Sequence, residues 1–201
     1  MQDVAIVLLV LYGLLALLLP MGVQLARTGS TGIKGLSGQP GSLEWVAGVG
    51  FILAMGLAIA SPFVYDASGA NRLERLDRDG VHVAGVALFA VGLALTVGSQ
   101  QWMGRSWRIG VEEGERTELV TRGPFAIVRN PIYTGVTLVV AGLALVVPSV
   151  VSFASVVLMV ASLEAQTRFV EEPYLLRMHG ESYARYASRV GRFLPGVGRL
   201  A

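Results

Sequence analysis

The chain has 201 residues, 53% of them hydrophobic and only 15% charged, against about 25% charged in a typical soluble domain. Its mean hydropathy is +0.61, and its apolar residues come in blocks too long for one soluble core, so the bilayer is their natural solvent. The lack of cysteine excludes disulfides and a thiolate nucleophile, the two histidines share no ligand spacing, and a net charge of +2 gives no reason to expect nucleic acid.

The first apolar block, Val4 to Ala26, carries no charge and is long enough to cross a bilayer. It follows Asp3 without a basic leader or a small-residue cleavage site, so it is expected to be a retained helix that Pro20 and Gly22 end or bend. Arg27 to Glu44 is rich in Gly, Ser and Thr and reads as a flexible loop. Trp45 to Tyr65 is a second span with interfacial aromatics at both ends. Asp66 to Gly80 is a charged connection, and Gly80 to Gly104 a third span closing on Gln100, Gln101 and Trp102.

A polar stretch follows from Arg105 to Arg129. The uncharged run from Asn130 to Leu163 would then make a single helix of about 51 Å, too long for one span. Pro148 and Ser149 lie near its middle and predict a hairpin of two helices, roughly 131–147 and 149–170. From Pro173 onward Leu175, Leu176, Tyr183, Tyr186, Val190, Phe193 and Leu194 recur at helical spacing among arginines. That pattern predicts an amphipathic helix on the membrane surface. The expected fold is all-α: one integral membrane domain over 1–201, with about five transmembrane helices and a C-terminal amphipathic cytoplasmic helix. Five spans leave Arg72, Arg75 and Arg78 on one side and the other thirteen basic residues on the opposite side. The positive-inside rule places the richer face, with the C-terminus, in the cytoplasm of a multi-pass plasma (inner) membrane protein.

Two stretches on that face can carry chemistry. Asn130 followed by Pro131 makes a capped helix start, where free amides attract an anion; Arg129 adds positive charge, and Tyr133 and Gly135 add a hydroxyl and a gap. The same residues also suit a plain helix start with Arg129 marking the membrane boundary. In the second stretch Glu164 and Arg168 lie four apart, with Glu171 and Glu172 one turn later. Ionisable groups at the end of a span point to a site or to an end-of-helix ion pair, and two adjacent carboxylates favour a nearby cation.

Several motifs occur in order: Arg122, Gly123, Pro124 and Phe125; then Val128 through Gly135; then Glu171 and Glu172 with Leu175, His179, Gly180, Tyr183, Tyr186 and Arg192 through Pro195. The chain thereby resembles the isoprenylcysteine carboxyl methyltransferase and phospholipid N-methyltransferase superfamily of integral membrane enzymes. Trp107 through Gly110 looks like the segment preceding these motifs in bacterial members. The likeness covers about 101–195, while residues 1–80 carry no signature. It implies an S-adenosylmethionine pocket between the last two spans and the tail, lined by Arg129, Asn130, Pro131, Tyr133 and Gly135 and closed by Glu171 and Glu172. It further implies methyl transfer to an amphiphilic, lipid-like or prenylated acceptor, by O- or N-methylation. Arg108, Glu164 and Arg168 are the candidates to orient the acceptor's polar head. Many relatives have His where this chain has Asn130; Asn keeps hydrogen bonding but has no titratable imidazole to act as a base. The competing class is a non-catalytic lipid-binding or assembly protein of the same fold, which loss of the Arg-Asn-Pro or Glu-Glu elements would have favoured. Both elements are present.

Overall fold

A computed structural model describes residues 1–31, 35, 38–67, 71–104 and 119–200. Five apolar helices form the bundle: α1 (Gln2–Thr28), α2 (Leu43–Ala67), α3 (Asp79–Met103), α4 (Pro131–Val146) and α5 (Val150–His179). All but α4 are long and apolar enough to cross a membrane unaided, and α4 is a shorter apolar helix paired with α5. A short α6 (Glu181–Ala187) follows, and a single 3₁₀ turn, Gly123–Ala126, precedes α4. The protein is a multi-pass helical membrane protein.

The expected hairpin forms at Pro148. Val147 leaves helical geometry before the proline (φ −127°, ψ 73°), as a residue preceding proline tends to. Ser149 then starts α5 with a reciprocal cap. Its Oγ accepts from Ser152 N at 3.1 Å, and Ser152 Oγ accepts from Ser149 N at 3.0 Å. The two legs return to one end of the bundle, so the start of α4 and the end of α5 become neighbours.

Glycines set the closest packing. On α3 Gly85 and Gly92, and on α4 Gly135 and Gly142, are each two helical turns apart and face one another. A Cβ at Gly92 would lie 2.6 Å from Gly135 O, and one at Gly142 would lie 2.5 Å from Phe89 N. Such small-residue faces let backbones approach where lipid supplies no hydrophobic drive between helices. The α2–α5 pair uses the same device, with Gly50 against Ser162. Phe89, Val140, Leu143 and Met159 fill the core between these helices.

Each proline inside a helix is compensated. Pro20 cannot donate to Ala16 O, four residues back. There α1 widens into a π turn, Gly13–Leu18, in which Leu19 N bonds Leu14 O. Gln100 Nε2 of α3 donates to the abandoned Ala16 O at 2.9 Å. Pro62 leaves Ala58 O, and Ser61 Oγ donates to it at 2.8 Å. Pro173 lies just after a second π turn, Thr167–Glu171. Pro20 therefore widens the first helix and does not end it; α1 continues to Thr28, where Gly29 in left-handed geometry stops it.

The tail departs from its helical pattern. The helix stops at Ala187, and Val190, Phe193 and Leu194 lie in irregular chain. The carbonyls of Ala187, Val190 and Gly198 turn toward one buried arginine, Arg129, and so cannot continue a helical ladder.

The glycine seam is directly testable. Gly92→Val should destabilise the protein by about 1–3 kcal/mol through overpacking, read as a lower unfolding midpoint in detergent. Gly98→Ala, with open space around the new methyl, should leave that midpoint unchanged.

Candidate functional site

The start of α4 is covered by the tail. Val128 and Gly191 form an isolated parallel bridge. Arg129 N donates to Gly191 O at 2.8 Å, and Asn130 N to Arg192 O at 3.0 Å. Thr134 Oγ1 donates to Phe193 O at 2.9 Å. Asn130 occupies the N-cap position, but its side chain makes no cap hydrogen bond. Its Nδ2 donates instead to Arg192 O at 3.3 Å. The expected side-chain cap is thus replaced by a link to the tail, and carbonyls of the tail lie where an anion was expected.

Behind this cover is a buried charge network. The Arg129 guanidinium is enclosed by acceptors of the protein itself. Nη1 donates to Ala187 O at 2.9 Å and to Val190 O, while Nη2 donates to Gly198 O at 2.9 Å and to Glu172 Oε1. Arg192 grips the same carboxylate with both forks, Nε to Oε1 at 2.8 Å and Nη2 to Oε2 at 2.9 Å. Its Nη1 reaches Glu164 Oε1 at 2.5 Å. The hydrogen bond to Glu172 raises the proton affinity of Arg192 further. Tyr183 packs beside this group, and burial pushes its phenol up to about 12, so it stays neutral. Tyr186 OH donates to Phe125 O at 2.6 Å and ties α6 to the 3₁₀ turn.

Glu171 is placed differently from its neighbour. It accepts from Tyr133 OH of α4 and from Gln166. Among the described residues no Lys, Arg or His pairs with it. Successive residues of a helix point about 100° apart. Glu172 therefore faces the arginines, while Glu171 faces Tyr133 of α4.

The remaining expected residues separate. Pro131 and Gly135 are buried, and Gly135 packs against Thr96 of α3. Glu164 joins the network through Arg192. Arg168 is exposed over the ring of Phe169. The expected pairing of Glu164 with Arg168 does not form, because the π turn beginning at Thr167 spoils the four-residue phase. Arg108 lies outside the described residues. Arg192, which sequence reasoning left without a role, is the hub of the network; the run of Arg192, Phe193, Leu194 and Pro195 was its only sequence signal.

Among protein families, the model described as phospholipid methyltransferase matches residues 81–182, about half of the chain. No curated protein sequence matches it significantly. Among solved structures, it is similar to the eukaryotic intramembrane Ras methyltransferase ICMT (isoprenylcysteine carboxyl methyltransferase). The TM-score is 0.65 at 18% identity, over 96% of this chain and 66% of that one. The shared fold includes α1 and α2, which lie outside the family match.

The two adjacent glutamates should behave unequally. Glu172→Gln removes the counter-charge of two arginines, one of them buried, and should cost about 3–5 kcal/mol. Glu171→Gln keeps the Tyr133 contact and should leave the thermal midpoint close to the parent. Equal midpoints for both variants in the same detergent would refute this division.

Proposed function

The chain belongs to the phospholipid methyltransferase family, and from that premise we propose that it is a methyltransferase using S-adenosylmethionine on an amphiphilic acceptor drawn from the bilayer. The observation that carries the reading is Glu171. It is a carboxylate between two membrane helices, with no cation beside it among the described residues and a phenol to hold it in place. Such a group is costly in an apolar setting unless a ligand completes it.

The donor set fits this cofactor. Glu171 accepts, so it suits an ammonium or ribose hydroxyls. Tyr133, tied to Glu171, fixes the carboxylate's orientation. Asn130 and the backbone of 129–131, held by the tail, shape the adjoining wall. Arg129, Glu172 and Arg192 act as the frame that keeps these groups in register. When bound, S-adenosylmethionine supplies an electrophilic methyl group on a positively charged sulfur. The protein's own part is to hold acceptor and donor in line and keep water out. A carboxylate acceptor needs no base. An ammonium acceptor must lose a proton first, and Asn130, where many relatives have His, cannot take it.

The site end of the bundle carries Arg129, Arg168, Arg177, Arg185, Arg189, Arg192 and Arg199, whereas the opposite end has Arg72, Arg75 and Arg78. The site is therefore assigned to the cytoplasmic face, where the cofactor is made available, while the acceptor's chains remain in lipid. A single cysteine at Ser188 in this cysteine-free chain should react with impermeant maleimide only from the cytoplasmic side; labelling of intact cells from outside would reverse the orientation.

Calorimetry on the purified protein should show binding of S-adenosylmethionine and competition by S-adenosylhomocysteine. Glu171→Gln and Tyr133→Phe should each weaken binding by roughly tenfold, the effect of one lost charge-assisted hydrogen bond. A well-folded protein that binds neither ligand would point instead to a non-catalytic member of the family.

A further inference from the structure

α6 has two faces. Tyr183 and Ala187 form the buried one, turned to the Arg129 network. Ser182, Arg185 and Tyr186 follow the spacing i, i+3, i+4 along the other face of the helix, and Arg189 lies in the turn just after the helix ends. With Leu119, Thr121 and Val190 these residues line a groove of about 610 Å³. Neither Glu171 nor Tyr133 lines this groove.

Its chemistry has one sign. Two guanidinium groups and the hydroxyls of Ser182 and Thr121 line it, and among the described residues no carboxylate does. Glu181 takes one edge of Arg185 at 2.9 Å, but among the described residues no carboxylate pairs with Arg189. Tyr186 contributes its ring, since its hydroxyl is engaged by Phe125 O. Leu119 and Val190 supply apolar wall. The surroundings are those of a bilayer surface: α6 follows directly from the span α5, and Leu176, Leu194 and Val197 are exposed nearby.

We propose that this groove binds a phosphate-bearing headgroup, with Arg189 and Arg185 on the phosphate oxygens and Ser182 and Thr121 donating beside them. Guanidinium forks match phosphate geometry. Among the described residues a cation would meet two positive charges and no acid lining the groove, and an uncharged polar group would leave Arg189 without a counter-charge. The groove is much larger than one inorganic phosphate and partly apolar, of the size that takes small organic ligands. It therefore suits an anionic phospholipid better than the free ion. The proposal is independent of the methyl-transfer reading.

The test uses the full chain in neutral detergent, with calorimetric titration of short-chain phosphatidylglycerol, inorganic phosphate and phosphate-free short-chain diacylglycerol. Phosphatidylglycerol should bind, diacylglycerol should not, and Arg189→Gln should weaken binding by about tenfold. Arg177→Gln, an exposed arginine that does not line the groove, should have no effect. Inorganic phosphate binding as tightly as the lipid, and equally sensitive to Arg189→Gln, would support the phosphate site while assigning it a soluble ligand. Equal losses in the Arg189 and Arg177 variants would overturn it in favour of diffuse surface charge. Displacement of the lipid by S-adenosylmethionine would overturn it by making the groove part of the donor site. Unchanged S-adenosylmethionine binding by Arg189→Gln would show that the variant is folded.

Discussion

Glu172 receives hydrogen bonds from Arg129 at the start of α4 and from Arg192 in the tail, and it stands itself on α5. Three parts of the chain, 43 and 20 positions apart along it, thus meet on one carboxylate. Two arginines and one Glu would leave the cluster with excess positive charge. Glu164, on the other side of Arg192, brings it to neutrality. Neutrality matters here because isolated charge near the hydrocarbon boundary is expensive, and a paired, hydrogen-bonded cluster lowers that cost. The carbonyls of Ala187, Val190 and Gly198 then take the remaining Nη hydrogens of Arg129, and in doing so determine how the tail folds. The irregular chain after Ala187 is a consequence of this buried cation.

The same accounting governs the spans. A membrane helix has no water to satisfy a carbonyl that proline abandons. Each interior proline has a local answer: a side chain from another helix for Pro20, a serine of its own helix for Pro62, and a π turn before Pro173. The first of these has a structural consequence. Gln100 of α3 reaches Ala16 of α1, so the helix that carries no recognisable motif is fixed to the helix packed against α4. The last has a consequence for the site, because the widened turn sets the direction in which Glu171 and Glu172 leave the helix.

Much of this was legible in the sequence. Hydropathy gave the spans, since twenty or so apolar residues have few alternatives to a bilayer. Pro148 with Ser149 gave the hairpin, since a proline and a serine cap are local signals. The motif order around Asn130 and Glu171 gave the family. The network was not legible, because arginines in a membrane protein's polar segments read equally well as interfacial or as buried. Only the fold brings Arg192 to Glu172, twenty residues away. The tail's apolar spacing predicted helix correctly up to Ala187 and failed beyond it, where carbonyls held by Arg129 overrode periodicity. The Gly85, Gly92, Gly135 and Gly142 seam was readable in principle, as two pairs spaced seven apart, but seven-residue glycine spacing is common in membrane helices and does not name its partner.

The division between Glu171 and Glu172 follows from geometry that no pair of adjacent letters can convey. Adjacent residues on a helix point about 100° apart, and here the two glutamates take different partners. Facing the arginines, Glu172 is satisfied by the protein and needs nothing from outside. Facing Tyr133, Glu171 has neutral donors and, among the described residues, no counter-charge. A carboxylate so placed either takes up a proton or awaits a cation. Under the proposed function, a sulfonium cofactor with an ammonium group would supply the second. The neutral frame built on Glu172 is what makes such waiting affordable, because it ties α4, α5 and the tail together without calling on Glu171.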